Sequence, residues 1–526
     1  MRKLIQSVLP VAAAGCVLAA TSSVAAPVGQ RPAITIPPGA AFSMASIPTF
    51  KGEYKDVYAY IDAHKDSDLA NLQRWVRQPS ISAQNIGVKE MAALAAADLK
   101  KIGFKEAEVV PTGGHPGVWG YYDAGAKTTL AVYMMLDVQP VEEADWQVKP
   151  FDGALVDHPL GRVLMARGAT NTKGPERAFL NAIEAIIATR GKLPVNLMIL
   201  AESEEELGSP HYPELIAKFA SRLKTAAGAI YPGGGQAPED GAVSVQLGVK
   251  GLLYVELEAR GNPRTGGPQK AEIHSSWKAT TDAPAWRLTQ ALASLTTPDG
   301  NTILIPGYYD KIRQPNAEEQ RLFNGTLDGW VKREAATRKA FAVDHWYDNM
   351  DARTSLTRYL FDTTINIDGL ASGYGGPGTK TILPNRALAK LDSRLVPGQT
   401  PEESLRLLKA HLVNKGFGDI EVRQLAGYPP SQTSVEAPVV KALLSTYKKY
   451  GLPVDVSPRS GGSQPNYVFT DTLGVAEVGL AAGHGADAHA PNEYWLIDPK
   501  PGSKLFGMSA VEKFYVDALY AMAAAK

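Results

Sequence analysis

Apolar residues recur at helical spacing from Asp56 to Gln78, through Val57, Ile61, Leu69, Leu72 and Trp75, and predict a helix there. The Ala-rich stretch from Val88 to Ile102 predicts a second. Short β-type runs follow at Val118–Tyr122 and Leu130–Leu136, and helical spacing returns over Pro175–Thr189. That helix leads into VNLMILA, an uninterrupted apolar run of the kind a buried strand carries. Strand and helix alternate, which predicts an α/β domain with a mixed, mostly parallel sheet flanked by helices. In such sheets the chemistry gathers on loops beyond the strand ends. Three polar strings, LDVQP, ARGATNTKGP and AESEEELG, each follow a β-type run.

The pattern changes near Gly248. GLLYVELEARG alternates like a half-buried strand, and is followed by the helical stretches Ala283–Leu295 and Glu318–Ala342. ALAKLDSRLV and DIEVRQL read as strands on either side of the helix PEESLRLLKAHLVNKG, which Gly416 ends. This predicts an inserted α+β lid over residues 246–425. The last hundred residues return to helix (Ala437–Tyr450), strand (GVAEVGL) and loop (HGADAHAPNE) and complete the first sheet. The expected organisation is therefore a catalytic α/β domain of 50–245 plus 426–526, with the lid swinging on segments near Gly248 and Gly427.

Composition narrows the class. At 526 residues the chain exceeds one ordinary core. Lys+Arg and Asp+Glu are equal at 54 each, so charge makes no case for nucleic acid or an anionic membrane. The single cysteine excludes an intrachain disulfide framework. Arg2 and Lys3 precede an apolar stretch, Leu4–Ala20, and then TSSVAAP. This reads as a signal peptide over 1–26, followed by an extended arm over 27–49, with export to a bacterial periplasm. Cys16 in AAGC offers lipid attachment as the alternative. No later apolar run has the length of a membrane span.

As an isolated string, Glu202, Glu204, Glu205 and Glu206 would be a solvated acidic loop. Their order with DVQPV, GATNTKGP, SGYGGPGTKTILP, RLVPGQTPEE and HAPNE resembles the zinc aminoacylase/carboxypeptidase family of metallopeptidases. That family includes carnosine dipeptidase, glutamate carboxypeptidase and succinyl-diaminopimelate desuccinylase relatives. The resemblance implies a two-zinc amide hydrolase. It makes Glu205 the general base and Glu206 and His489 metal ligands. It also assigns His274 to the oxyanion, donated by the lid of a partner in a homodimer. Asn366 and Arg394 would hold a substrate carboxylate, with Gly461, Gly462 and Ser463 as a lining loop.

Three family ligand positions depart from the pattern. Met135 stands where a histidine is expected, Asn171 where the bridging aspartate is expected, and Tyr231 or Pro232 where a further aspartate is expected. A thioether is a soft ligand, ill suited to zinc beside oxygen donors. Two dications about 3.5 Å apart repel by about 19 kcal/mol at an effective dielectric near 20, which a neutral amide cannot offset. The expectation is a degenerate metal site, holding no cofactor or at most one metal, with Asp487 or His484 as substitute ligands. Asp137, Glu205 and Glu206 would then crowd one pocket and raise at least one pKa, supplying acid and base together. The reading is an exported hydrolase of an amide bond in a small carboxylate-bearing substrate. Two alternatives stand beside it: a metal-free acid/base enzyme of non-hydrolytic type (lyase, isomerase or acyl transfer), and a non-catalytic pseudoenzyme that binds peptides or acyl amino acids.

Overall fold

The structure is a computed structural model that describes residues 30–525. The predicted signal segment and Cys16 lie outside the described residues. Six strands form the central sheet, in the order Glu106–Val110, Gly117–Tyr122, Asn196–Glu202, Thr129–Met135, Gly228–Gly233 and Glu477–Ala481. The first two pairings are antiparallel and the remaining three parallel, so the sheet is mixed and mostly parallel.

Alternation along Thr129–Met135 explains how the sheet is covered on both sides. Leu130, Val132 and Met134 enter one core with helices Val88–Ile102, Gly174–Arg190, Pro438–Lys449 and Met508–Ala524. Ala131, Tyr133 and Met135 enter another, under helix Tyr212–Leu223. A strand sandwiched this way has no solvent face, which is why VNLMILA carries no polar alternation.

A second, antiparallel sheet has the order Thr364–Ser372, Arg386–Leu395, Gly251–Arg260 and Glu421–Tyr428. Helices Pro284–Ala293 and Pro401–Asn414 share its core through Leu288, Leu292, Leu408 and Leu412. The chain passes between the two sheets on two segments lying side by side, Gly248–Val249 paired with Ser431–Gln432. A Cβ on Gly248 would lie 2.3 Å from the Ser431 carbonyl oxygen, and one on Gly251 2.6 Å from that of Tyr428. Only glycine lets these strands approach so closely.

The long helix Ala317–Ala340 begins with a capping box between Asn316 and Glu319. It is fastened to the other sheet's side of the molecule. Thr326 Oγ1 donates to the Val456 carbonyl (2.9 Å), and Glu319 pairs with the fully buried Arg459. No helix among the described residues is long and apolar enough to cross a membrane.

The structure corrects the sequence reading locally. The first predicted helix is two, Lys55–Ala63 and Lys65–Arg77, broken at His64 (φ −113°, ψ 13°). Hydrophobic spacing carries across that break because both pieces turn the same face to the core. The hairpin Ala154–His158/Gly161–Met165, joined by Tyr494–Pro499, lies outside the sequence expectation, as does helix Tyr212–Leu223.

Glu477, on the last strand of the central sheet, is buried, and burial pushes its carboxyl up to about 8 despite help from Asn466. A carboxyl protonated more readily in the fold than in the open chain stabilises the fold below about pH 4.5, and that contribution is lost as pH rises towards 8. Glu477→Gln should therefore gain stability relative to wild type between pH 5 and pH 9, by a few kcal/mol at the upper end. Urea melts of both proteins across that range check this; a difference independent of pH would exclude it.

Candidate functional site

Strands Thr129–Met135 and Asn196–Glu202 run parallel in register, with Met135 opposite Glu202. Both strands therefore release the chain at the same edge of the sheet. Asp137 follows one strand end and the Glu205–Leu207 turn follows the other. Asp137 is 1% exposed. Its Oδ2 accepts from Ser82 Oγ (2.7 Å) and from Glu206 N (3.1 Å), and its Oδ1 accepts from Glu205 N (3.1 Å). Asp137 thus holds the backbone of the turn that carries both glutamates. It does not face the cleft as the catalytic acid expected from the sequence, because both its oxygens are committed to that turn.

The GATN string is fixed from the far end of the chain. Glu493 is fully buried and accepts from Arg167 Nη1 (2.7 Å) and from the backbone N–H groups of Gly168 (3.0 Å), Thr170 (2.9 Å) and Asn171 (2.9 Å). A carboxylate bound by an arginine and three amides is a strong anchor. It brings Asn171 to His489, four residues before Glu493. Asn171 Nδ2 lies 2.8 Å from Glu206 Oε1 and 3.1 Å from His489 Nε2. Gln139 Nε2 donates to Glu206 Oε2 (2.7 Å), and His489 Nε2 lies 3.2 Å from the same oxygen. The Glu206 carboxylate is accordingly ringed by nitrogen groups from Asn171, Gln139 and His489. The hydrogen bond to Glu206 raises the pKa of His489 above its ordinary value.

Glu205 sits beside this cluster. Burial first, then the charges of Glu206 and Asp137, push its carboxyl up to about 8. Burial likewise lifts Asp137 to about 7, against the pull of Ser82. Three carboxyls in one place cannot all ionise cheaply, as the sequence led us to expect.

The three replaced positions share one cavity. Met135, Asn171, Tyr231 and Pro232 line a space of about 410 Å³, with Asp487 at its rim. Glu176 also lines it and is buried; its Oε1 accepts from Met135 N (2.7 Å) and Thr172 Oγ1 (3.0 Å), while its Oε2 has no partner among the described residues. Burial pushes Glu176 up to about 8. Lys173, one helical turn earlier, is also buried and falls to about 7, chiefly through burial. Its ammonium donates to the carbonyls of Trp75 (3.2 Å) and Gln78 (2.8 Å).

Sequence reasoning gave no role to Glu176, Gln139 or Glu493. Gln139 and Glu493 stand inside the motifs DVQP and HAPNE, and that was their only signal. Glu176 follows Lys-Gly-Pro on a helix whose periodicity marks its face as core, so its burial was readable but its place beside the cavity was not.

Against the two-zinc centre that the resemblance implies, the donor set is short. It offers one carboxylate, Glu206, and one imidazole, His489, next to a neutral amide and a thioether. Among the described residues no group of three or more His, Cys, Asp or Glu side chains converges on a point that a metal ion could take. His484 is no substitute ligand, since Nδ1 meets the Gln236 carbonyl (2.8 Å) and Nε2 the Tyr494 hydroxyl (3.1 Å) inside the fold. Asp487 faces the cavity without joining such a group. These residues do not fit a pair of zinc ions.

The remaining expected residues are dispersed. Arg394 is partly exposed and pairs with Asp392 through Nε (2.7 Å). Asn366, on the neighbouring strand, donates to Asp368 (2.8 Å) and faces a separate cavity of about 250 Å³. Gly461 and Arg394 line a third cavity. Gly462 and Ser463 fasten their loop to the crossing strands, by Lys250 N donating to the Gly462 carbonyl (2.9 Å) and Ser463 Oγ to the Gly251 carbonyl (3.0 Å). His274 is exposed on the lid, within reach of Ser276 Oγ (2.8 Å) and Thr381 Oγ1 (3.1 Å). Within one chain it is not brought to Glu205.

Comparison with known proteins places this geometry. Peptidase family M20/M25/M40 matches residues 131–499. The Cys-Gly metallodipeptidase of Schizosaccharomyces pombe is 29% identical over 484 residues, covering 86% of this chain and 96% of that protein. The human Beta-Ala-His dipeptidase is 29% identical, covering 68% of this chain and 70% of its own length. Among solved structures, an M20 family metallo-carboxypeptidase from Sulfolobus solfataricus superposes with a TM-score of 0.76 at 34% identity, covering 87% of this chain and 99% of that one. Human carnosine dipeptidase 1 shares the fold at a TM-score of 0.71 and 23% identity. The strand-end carboxylates, the Glu493 anchor and the lid therefore sit in a peptidase-like hydrolase, and the chain belongs to peptidase family M20/M25/M40.

Proposed function

We propose that the protein hydrolyses an amide bond in a small substrate with a free carboxylate, of the dipeptide or N-acyl amino acid type, without a family-type pair of zinc ions. The observation that carries this is the Glu205–Glu206 turn. It is locked by Asp137, leaves the Glu205 carboxyl with no hydrogen-bonded partner among the described residues, and ties Glu206 with the nitrogen groups of Asn171, Gln139 and His489. Glu205 is the general base. It takes a proton from the attacking water as the water adds to the scissile carbonyl, then delivers that proton to the leaving amine. Asp137 acts as a positioning residue through the backbone of the turn. His489, held against Glu206, is placed as a donor to the carbonyl oxygen, and His274 of a second copy is the further donor that the family resemblance suggests.

The names of the similar proteins support the substrate class: Cys-Gly and Beta-Ala-His dipeptidases both act on short peptides. A second reading, a binding protein without turnover, is favoured by one feature. Glu206 accepts from Asn171 Nδ2 on one oxygen and meets His489 Nε2 with the other, which closes a cluster that a metal-dependent enzyme would leave open to its cations.

Glu205→Gln should lower turnover of a hydrolysed dipeptide by roughly 10²–10⁴-fold while leaving its binding in place. Steady-state assays with calorimetric binding check both, and undiminished activity rejects the role. Elemental analysis of tag-free protein should find less than one metal ion per chain, and dialysis against a chelator should leave turnover unchanged. Two zinc ions per chain, with activity lost to chelator and restored by zinc, would overturn the proposed metal-independence while leaving the hydrolase assignment intact.

A further inference from the structure

A cavity of about 360 Å³ lies where the long helix Ala317–Ala340, the helix Ala352–Phe361 and the RSGGSQP loop meet. Its walls divide by chemistry. One is aromatic. The Trp330 ring lies nearly parallel to Trp346 (centroids 6.3 Å apart, 16° between planes) and to Tyr359 (5.7 Å, 18°). The other is cationic: Arg31, Lys250, Arg358 and Arg394 face the same space with Asp362 as the single acid.

Donors outnumber acceptors on these walls. Trp346 Nε1 and Arg31 Nε are buried with no acceptor among the described residues. The Asp362 carboxylate is met by Arg31 (3.3 Å) and Arg358 (3.8 Å), and Arg394 pairs with Asp392 (2.7 Å). Burial lowers Lys250 to about 7, and its amine donates to the Asp362 backbone carbonyl (2.7 Å). Three arginines against two carboxylates leave an excess of positive charge. Net positive charge beside parallel aromatic faces suits a ligand that carries an anion next to a flat apolar group.

The cavity adjoins the candidate site. Arg394 stands across Leu252 from Tyr428 in the lid sheet. Ala426, two residues before Tyr428 on the same strand, meets the end of the Glu205 turn, where a Cβ on Gly208 would lie 3.0 Å from the Ala426 Cβ. One strand thus touches both the turn of the proposed base and the neighbourhood of the cavity's arginine. Gly461 closes the other side. A Cβ there would lie 2.4 Å from the Tyr359 ring, so the loop can pass behind the aromatic wall only as glycine. Arg459, two residues earlier, is pinned by Glu319 of the long helix, which fixes the loop against that wall.

We propose that this cavity is a specificity pocket, which takes the side chain of the substrate's carboxylate-bearing residue and selects an aromatic one, while Arg394 holds the carboxylate. This rests on the reading of the substrate as an amide with a free carboxylate, and it adds which residue bears that carboxylate.

The test separates pocket from chemistry by measuring binding in the Glu205→Gln background, where the probes' amide bond is not turned over, and hydrolysis with the unsubstituted protein. Calorimetry on the full-length protein would compare N-acetyl-tryptophan, N-acetyl-alanine and N-acetyl-tryptophanamide. The expected result is roughly tenfold tighter binding of N-acetyl-tryptophan than of either comparator. Trp346→Ala, and independently Tyr359→Ala in case the first fails to fold, should erase the tryptophan-over-alanine ratio. Arg394→Gln should erase the acid-over-amide ratio. In parallel, kcat/KM for Ala-Phe over Ala-Ala should show the same preference and lose it in the same variants. Equal binding of the three probes, or an aromatic preference that survives both aromatic-wall variants, overturns the pocket. Selective binding with no hydrolysis of either dipeptide upholds the pocket and overturns the hydrolase reading instead.

Discussion

Everything at the strand ends answers one constraint: five carboxyl groups, Asp137, Glu176, Glu202, Glu205 and Glu206, gather in a buried layer that cannot hold five negative charges. Each is treated differently. Asp137 is spent on the backbone of a turn, and Glu206 is ringed by side-chain nitrogens. Glu202 accepts from the Tyr133 and Ser209 hydroxyls (2.8 Å each), and burial keeps it well above the usual carboxylate range. Glu176 leans on Met135 N and Thr172 and keeps its proton to about pH 8. Glu205 is left with burial and two like charges, and it is the one carboxyl of the set whose oxygens accept no hydrogen bond from the described residues. A buried acid with raised pKa and free oxygens is the form in which a carboxyl can exchange a proton with a ligand near neutrality.

The same constraint explains why distant parts of the chain are tied so firmly. The turn bearing Asn171 would expose its N–H groups to a carboxyl-rich cavity if nothing fixed it. Glu493 takes three of those N–H groups at once and compensates its own charge with Arg167. Breaking one side of such a buried pair leaves an uncompensated charge, which costs about 3–5 kcal/mol. The HAPNE stretch is thus as much a clasp as a source of His489. The lid is clasped by similar means: Arg459 and Glu319 join the RSGGSQP loop to the long helix, so loop and aromatic wall move as one piece.

Much of this was legible in the residues. Period-2 and period-3.6 spacing located the central strands and the helices that cover them, because a sheet buried on both faces leaves an unmistakable apolar run. The motif strings group Met135, Asn171, Glu206 and His489 about one cleft, and the last three lie within hydrogen-bonding distance of one another. Three things were not legible. The break at His64 leaves hydrophobic spacing intact. Asp137's orientation is decided by Ser82, which lies far upstream with no motif around it. The aromatic wall of the further cavity is assembled from Trp330, Trp346 and Tyr359, and a tryptophan on a charged helix or in the loop after it carries no sign of what it will face. Side chains that meet only in the tertiary fold have no common period to betray them.

The departures from the family pattern are not spread evenly over the site. Met135, Asn171 and Tyr231/Pro232 line a single cavity, whereas Glu206 and His489 lie against each other and against Asn171. A thioether, an amide and an aromatic ring put volume and hydrogen-bonding capacity there, next to the carboxyls of Glu176 and Asp487. Glu205 and the Asp137 clamp that aims it are retained a few residues away, although a carboxyl there costs stability for as long as it must stay buried among its neighbours. The proposed use of Glu205 as a base gives that cost a physical rationale, beside a cavity whose walls mix neutral groups with the carboxyls of Glu176 and Asp487.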